Sequence, residues 1–162
     1  MAGYCFINIF EAKKDQMYSF LKNFHSGFRY IVFLLIVIAI VQSIAGLLGK
    51  KSYTDANRKM NLFAMISAHT QLLVGLVLYF VSPLVSFSKA AMKNDVMRYF
   101  TAEHIIMMIV AIVLITIGHS KSKKAASPGA KHKAIAIFYT IALLVVVGAL
   151  LAGHLPIFGK NR

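Results

Sequence analysis

The chain has 162 residues, 59% of them hydrophobic, with mean hydropathy +0.71 and net charge +13 from 18 basic and 5 acidic residues. An ordinary globular domain is about 45–50% apolar, so the composition excludes a typical soluble enzyme and predicts a single-domain, all-α integral membrane protein. The positive charge sits mostly between apolar runs, where loops meet anionic headgroups; it predicts a lipid bilayer as partner and no nucleic acid.

Residues 1–24 read as an N-terminal interfacial segment. Met17, Phe20, Leu21 and Phe24 repeat at helical spacing beside Lys13, Lys14 and Lys22, the pattern of an amphipathic helix lying in the headgroup region. Cys5 is the single cysteine, so neither an intrachain disulfide nor a thiolate metal cluster is available.

Four spans are predicted at about 27–48, 60–82, 99–118 and 134–153, each near the ~20 residues that a bilayer core requires. The first carries Gln42 and Ser43, the second His69 and Gln71, and Pro83 stops the second. The run Ser52-Tyr-Thr-Asp55 has the character of a helix start. The connection 84–98 has apolar residues at helical spacing and is expected along the membrane surface. The third loop is basic, has no acid and turns at Ser127-Pro-Gly129. Short connections make successive helices antiparallel neighbours, so residues 25–155 are predicted to form an up-down four-transmembrane-helix bundle with a short basic tail at 156–162. The unopposed lysines of the third loop favour cytoplasmic first and third loops and external termini.

The chemistry rests on six histidines. His119 and His132 lie beside the lysines of the third loop and are expected to be solvated or to face headgroups. In an up-down bundle His25, His104 and His154 fall towards the membrane face that bears the termini, joined by Arg29 and Arg98. His25 and Arg29 share a helix face. Facing imidazoles can bind a haem iron axially, and an arginine one turn away can pair with a propionate. Headgroup contact and interhelix hydrogen bonds are the bland alternative for each histidine, the stronger one for His154. His69 lies deepest, with two expectations: a hydrogen bond to Gln42 that joins two helices, or an axial ligand role. Glu103 is expected to pair with Arg98 or Arg29; a proton-uptake role in quinone chemistry is the sharper alternative. A di-iron carboxylate site fails for want of further acids, and no hydrolase elbow, phosphate loop or dinucleotide fingerprint is present.

The stretches His25-Ser-Gly-Phe-Arg-Tyr30, Ala68-His-Thr-Gln-Leu-Leu-Val-Gly75, Leu78-Tyr-Phe-Val-Ser-Pro83, Arg98-Tyr-Phe-Thr-Ala-Glu-His104 and Ile117-Gly-His-Ser120 resemble a family of small four-helix bacterial membrane proteins known as cytochrome b-like. The resemblance runs from about residue 25 to 151; residues 1–24 depart from it. It implies a multi-pass protein of the bacterial inner membrane that binds haem b through His25, His104 or His69 for electron transfer. Quinone, or a larger respiratory, transport or secretion complex, is the expected partner. The alternative is a non-catalytic accessory subunit of such a complex. Either way the expectation is an electron carrier or accessory subunit rather than a stand-alone enzyme, with no catalytic residue and no metal other than haem iron.

Overall fold

A computed structural model describes residues 2–153, with side chains from residue 13 onward. The described chain is all-helical. Four helices are long and apolar enough to cross a membrane. They are α1 (Ala2–Leu48), α2 (Asp55–Val81), α5 (His104–Lys124) and α6 (Pro128–Ala152). Two short helices, α3 (Lys89–Lys93) and α4 (Asp95–Arg98), and a π-helical turn (Tyr99–Glu103) lead into α5. His154 and the tail 156–162 lie outside the described residues.

Helix α1 runs unbroken through residues 24–27, where the interfacial segment was expected to end. No proline interrupts it, and Gly27 packs against nothing within 4 Å. Its 47 residues span about 70 Å, more than twice the ~30 Å hydrocarbon thickness. The chain leaves α1 through Lys50, which adopts φ 49°. Lys51 N–H donates back to Gly46 O at 2.9 Å, closing the last turn as helix ends commonly do.

Helix α2 starts five residues before the predicted 60. Thr54 accepts from Asn57 N–H, and the Asn57 side chain accepts from Thr54 N–H, so two otherwise free donors are satisfied reciprocally. The helix ends at Val81, because Ser82 precedes Pro83 and takes extended geometry (ψ 132°). Helix α6 likewise starts early, at Pro128, capped by the Ser127 hydroxyl on Ala130 N–H. Proline suits a first turn because that N–H has no acceptor anyway.

The long helices form a ring in which α1 packs on α2 and α6, and α5 packs on α2 and α6. Contacts that climb one helix descend the next. His25 meets Gln71 while Gln42 meets Asn61; Tyr79 meets Thr101 while His69 meets Thr116. The centre is built from small side chains. Ala39, Ala64, Ala142 and Ala149 are fully buried, as is Ser43. Small residues let backbones approach closely, which is how helices associate when no hydrophobic force drives them together. Large apolar residues point outward instead: Leu73, Phe80 and Leu144 are 63–82% exposed. That inverted pattern is unsuited to water and suited to lipid.

Candidate functional site: a histidine-lined cavity

A cavity of about 220 Å³ lies between the long helices, towards the end that carries the chain termini. Its walls are mostly apolar, with Ile36, Ile112, Ile115, Leu143 and Val146 among them, while Lys22, His25, Arg29, Gln71, Tyr79 and His104 are among its polar groups. Two of the three predicted haem-ligand histidines therefore share one space.

His104 is held by its neighbours. Tyr99 O–H donates to Ala149 O at 2.7 Å. A phenol has one proton, so at the 3.1 Å contact with His104 Nδ1 the Tyr99 oxygen accepts and His104 Nδ1 donates. The neutral ring then carries its lone pair on Nε2, which has no hydrogen-bond partner among the described residues. A histidine whose second nitrogen is anchored in this way has a fixed tautomer and ring plane, as metal-ligating histidines usually do. The contact depends on the π-helical turn. Residues five apart stand about 140° apart on an ordinary α-helix, whereas the wider turn over Tyr99–Glu103 brings them together. The same turn aligns Arg98 with Glu103, 2.8 Å apart, and presents Thr101 O to the Tyr79 hydroxyl at 2.8 Å.

His25 is fixed by different means. Gln71 Nε2 donates to His25 O at 2.8 Å. Gly75 makes room for the ring: a Cβ there would stand 3.0 Å from His25 Cε1. His25 Nδ1 is buried without a hydrogen-bond partner among the described residues. Arg29, one turn on, lines the same cavity and donates to the Tyr30 hydroxyl at 2.9 Å.

The remaining predicted residues fall elsewhere. Arg98 does not line the cavity; Asp95 (3.0 Å) and Glu103 (2.8 Å) hold it at the surface, which is the pairing expected for Glu103. His69 lies outside the cavity as well. Its Nδ1 donates to Met65 O at 2.8 Å, and its Nε2 meets Thr116 Oγ1 at 3.3 Å. The expected Gln42–His69 bond is absent. Gln42 bonds Asn61 and Asn57 instead, at 3.1 and 3.3 Å. The early start of α2 shifts its register, so Asn61, not His69, lies level with Gln42. His132, expected to be solvated, is 1% exposed, because the early start of α6 sets it inside the bundle. His119 is half-buried, with Nδ1 enclosed and unpartnered among the described residues.

Tyr99, Gln71, Gly75 and Tyr79 had no role in the sequence reading. Gln71 and Gly75 were visible as a polar and a small residue inside an apolar span. Tyr99 was hidden, since its spacing from His104 is not a helical contact spacing. Among the described residues no three His, Cys, Asp or Glu side chains gather as a metal site. Two imidazoles in an apolar cavity suit a group that brings its own equatorial donors, and haem is such a group. No family model, curated protein or solved structure matches the chain.

Proposed function

We propose that the chain is a multi-pass protein of the bacterial inner membrane, an up-down bundle of four transmembrane helices that holds haem b and carries electrons. The observation that supports this most is the cavity shared by His25 and His104, with the His104 lone pair set on Nε2 by Tyr99. His25 and His104 would hold the haem iron in this reading, and Arg29 would pair with an anionic propionate. Haem supplies reversible one-electron chemistry when bound. The protein's part is to bind and orient. Tyr99 holds His104 in one tautomer, Gly75 admits the His25 ring, and apolar residues form most of the walls. Arg98 and His69 have no part in binding.

The test is the reduced-minus-oxidised absorption spectrum of protein purified in mild detergent with haem supplied. A sharp α band at near-equimolar haem is expected. His25→Ala and His104→Ala should each lose it, and His69→Ala should keep it. Unchanged haem content in the first two variants rules out the assignment.

One observation favours the alternative of an accessory subunit. Met17, Phe20 and Phe24 are 44–67% exposed on the free half of α1, and Phe20, Phe24 and Phe28 stack in series. A larger membrane complex would cover such a stripe. Stoichiometric partners co-purifying from native membranes with a colourless protein would establish that reading instead.

A further inference from the structure

The other end of the bundle holds another enclosed imidazole, about 30 Å along α1 from His25. His132 is 1% exposed and packs edge-on against Tyr53, with ring centroids 5.0 Å apart. Only a glycine at position 46 admits the ring, since a Cβ there would overlap it. Neither ring nitrogen has a hydrogen-bond partner among the described residues. An unpaired buried polar group is costly, so its surroundings are where a partner belongs.

Those surroundings are a recess lined by His132 with Gln42, Lys51, Ser52, Thr54 and Asn57. The recess lies at the first turn of α2, where the helix dipole favours negative charge, although Thr54 already caps the Asn57 N–H. No acid lines it. The nearest in sequence, Asp55, faces solvent and pairs with Arg58 at 3.3 Å. The same end of the bundle also carries Lys50, Lys59, Lys121, Lys123, Lys124, Lys131 and Lys133. A fixed cation, a helix N-terminus and an enclosed imidazole with no competing carboxylate make an anion site.

We infer that this recess binds a phosphate oxyanion, with Lys51 supplying charge, the N-terminus of α2 its dipole and His132 a ring N–H. A phospholipid headgroup and free phosphate share this chemistry. Basic recesses between helices at the membrane surface are a known setting for the former. The site is independent of haem, because no residue is common to both.

The test uses delipidated full-length protein carrying 15N-labelled histidine, in phosphate-free maltoside micelles. Inorganic phosphate and short-chain phosphatidylglycerol are titrated separately, and the His132 signal is assigned by its loss in His132→Gln. A saturable His132 shift with phosphatidylglycerol alone identifies a headgroup site; a shift with inorganic phosphate as well shows that the anion suffices. Lys51→Gln should weaken binding about tenfold or more, as loss of a charge-assisted contact does, and Lys59→Gln should leave it within about twofold. Should His132→Gln fail to fold, phosphatidylglycerol retained by wild type and Lys51→Gln in native mass spectrometry gives the same comparison. No His132 shift with either probe, water alone then satisfying the ring, overturns the inference. So does equal weakening by Lys51→Gln and Lys59→Gln.

Discussion

Tyr99 is the side chain on which the cavity's chemistry turns. Its hydroxyl joins two partners, donating to Ala149 O on α6 and accepting from His104 at the head of α5, while its ring packs against Phe100 and His104. Tyr99→Phe keeps the ring and removes only the oxygen. His104 Nδ1–H then loses its partner, at about 1–3 kcal/mol for a buried group left unsatisfied, while Ala149 O keeps the Gly153 N–H at 3.1 Å. The His104 ring is also free to change tautomer and turn. Loss of such an anchoring partner weakens metal binding by about 10–100-fold. The expected outcome is a modest drop in melting temperature, read by thermal unfolding, and a large drop in haem affinity, read by titrating haem into the apoprotein. A variant with wild-type affinity would show that His104 needs no anchor. Gly75→Ala is milder, because the ring it meets at 3.0 Å is part of a side chain that can shift.

Helices in this protein touch where side chains are smallest, so the same substitution has opposite signs at different glycines. A Cβ on Gly118 of α5 would stand 2.6 Å from Phe138 Cβ of α6, too near the backbone to be absorbed by a rotamer change. Gly118→Ala is expected to cost about 1–3 kcal/mol by forcing α5 and α6 apart. Gly148 of α6 meets nothing within 4 Å, and Gly148→Ala should stabilise by about 0.5–1 kcal/mol through helix propensity. Thermal unfolding of both variants in one detergent checks the contrast. The π-helical turn has its own test. Inserting one alanine after Ala102 sets Tyr99 and His104 six residues apart, about 120° apart on an ordinary helix. Helix content by circular dichroism should stay unchanged while haem binding is lost. The four long helices were legible because apolar runs of about 20 residues have few other fates. Their early starts were less so, since Thr54 and Ser127 cap helices through polar residues that also read as loop. That is why Gln42 was matched to His69 rather than Asn61. His25 and His104 could be paired from the order of spans alone. The release of Arg98 to the surface and the anchoring of His104 both stem from the π turn, for which the local residues carry no propensity signal.

At the scale of the whole molecule, charge and packing divide the bundle into two unlike ends. The end with the first and third loops carries nine of the 18 basic residues and a single acid, Asp55. There Tyr53, Asn61, Ser122 and Tyr139 link loop, α2, α5 and α6 through bonds of 2.8–3.3 Å. The other end holds the cavity and the free half of α1. The charge predicts an orientation, since short basic loops are retained on the cytoplasmic side. Single cysteines introduced at Ser52, Ser127, Asn23 and Phe87 in a Cys5→Ser background report it. Ser52 and Phe87 are loop positions; Asn23 is exposed on α1, and Ser127 caps α6. A membrane-impermeant thiol reagent added to intact cells is expected to label positions 23 and 87 and to reach 52 and 127 only after the membrane is opened. The reverse labelling would invert the bundle and place the phosphate-binding recess outside, with the antiparallel order intact. Labelling of 52 and 127 from opposite sides would be more serious. Those two positions bracket the same end of the ring, and no up-down arrangement of α1, α2, α5 and α6 can separate them.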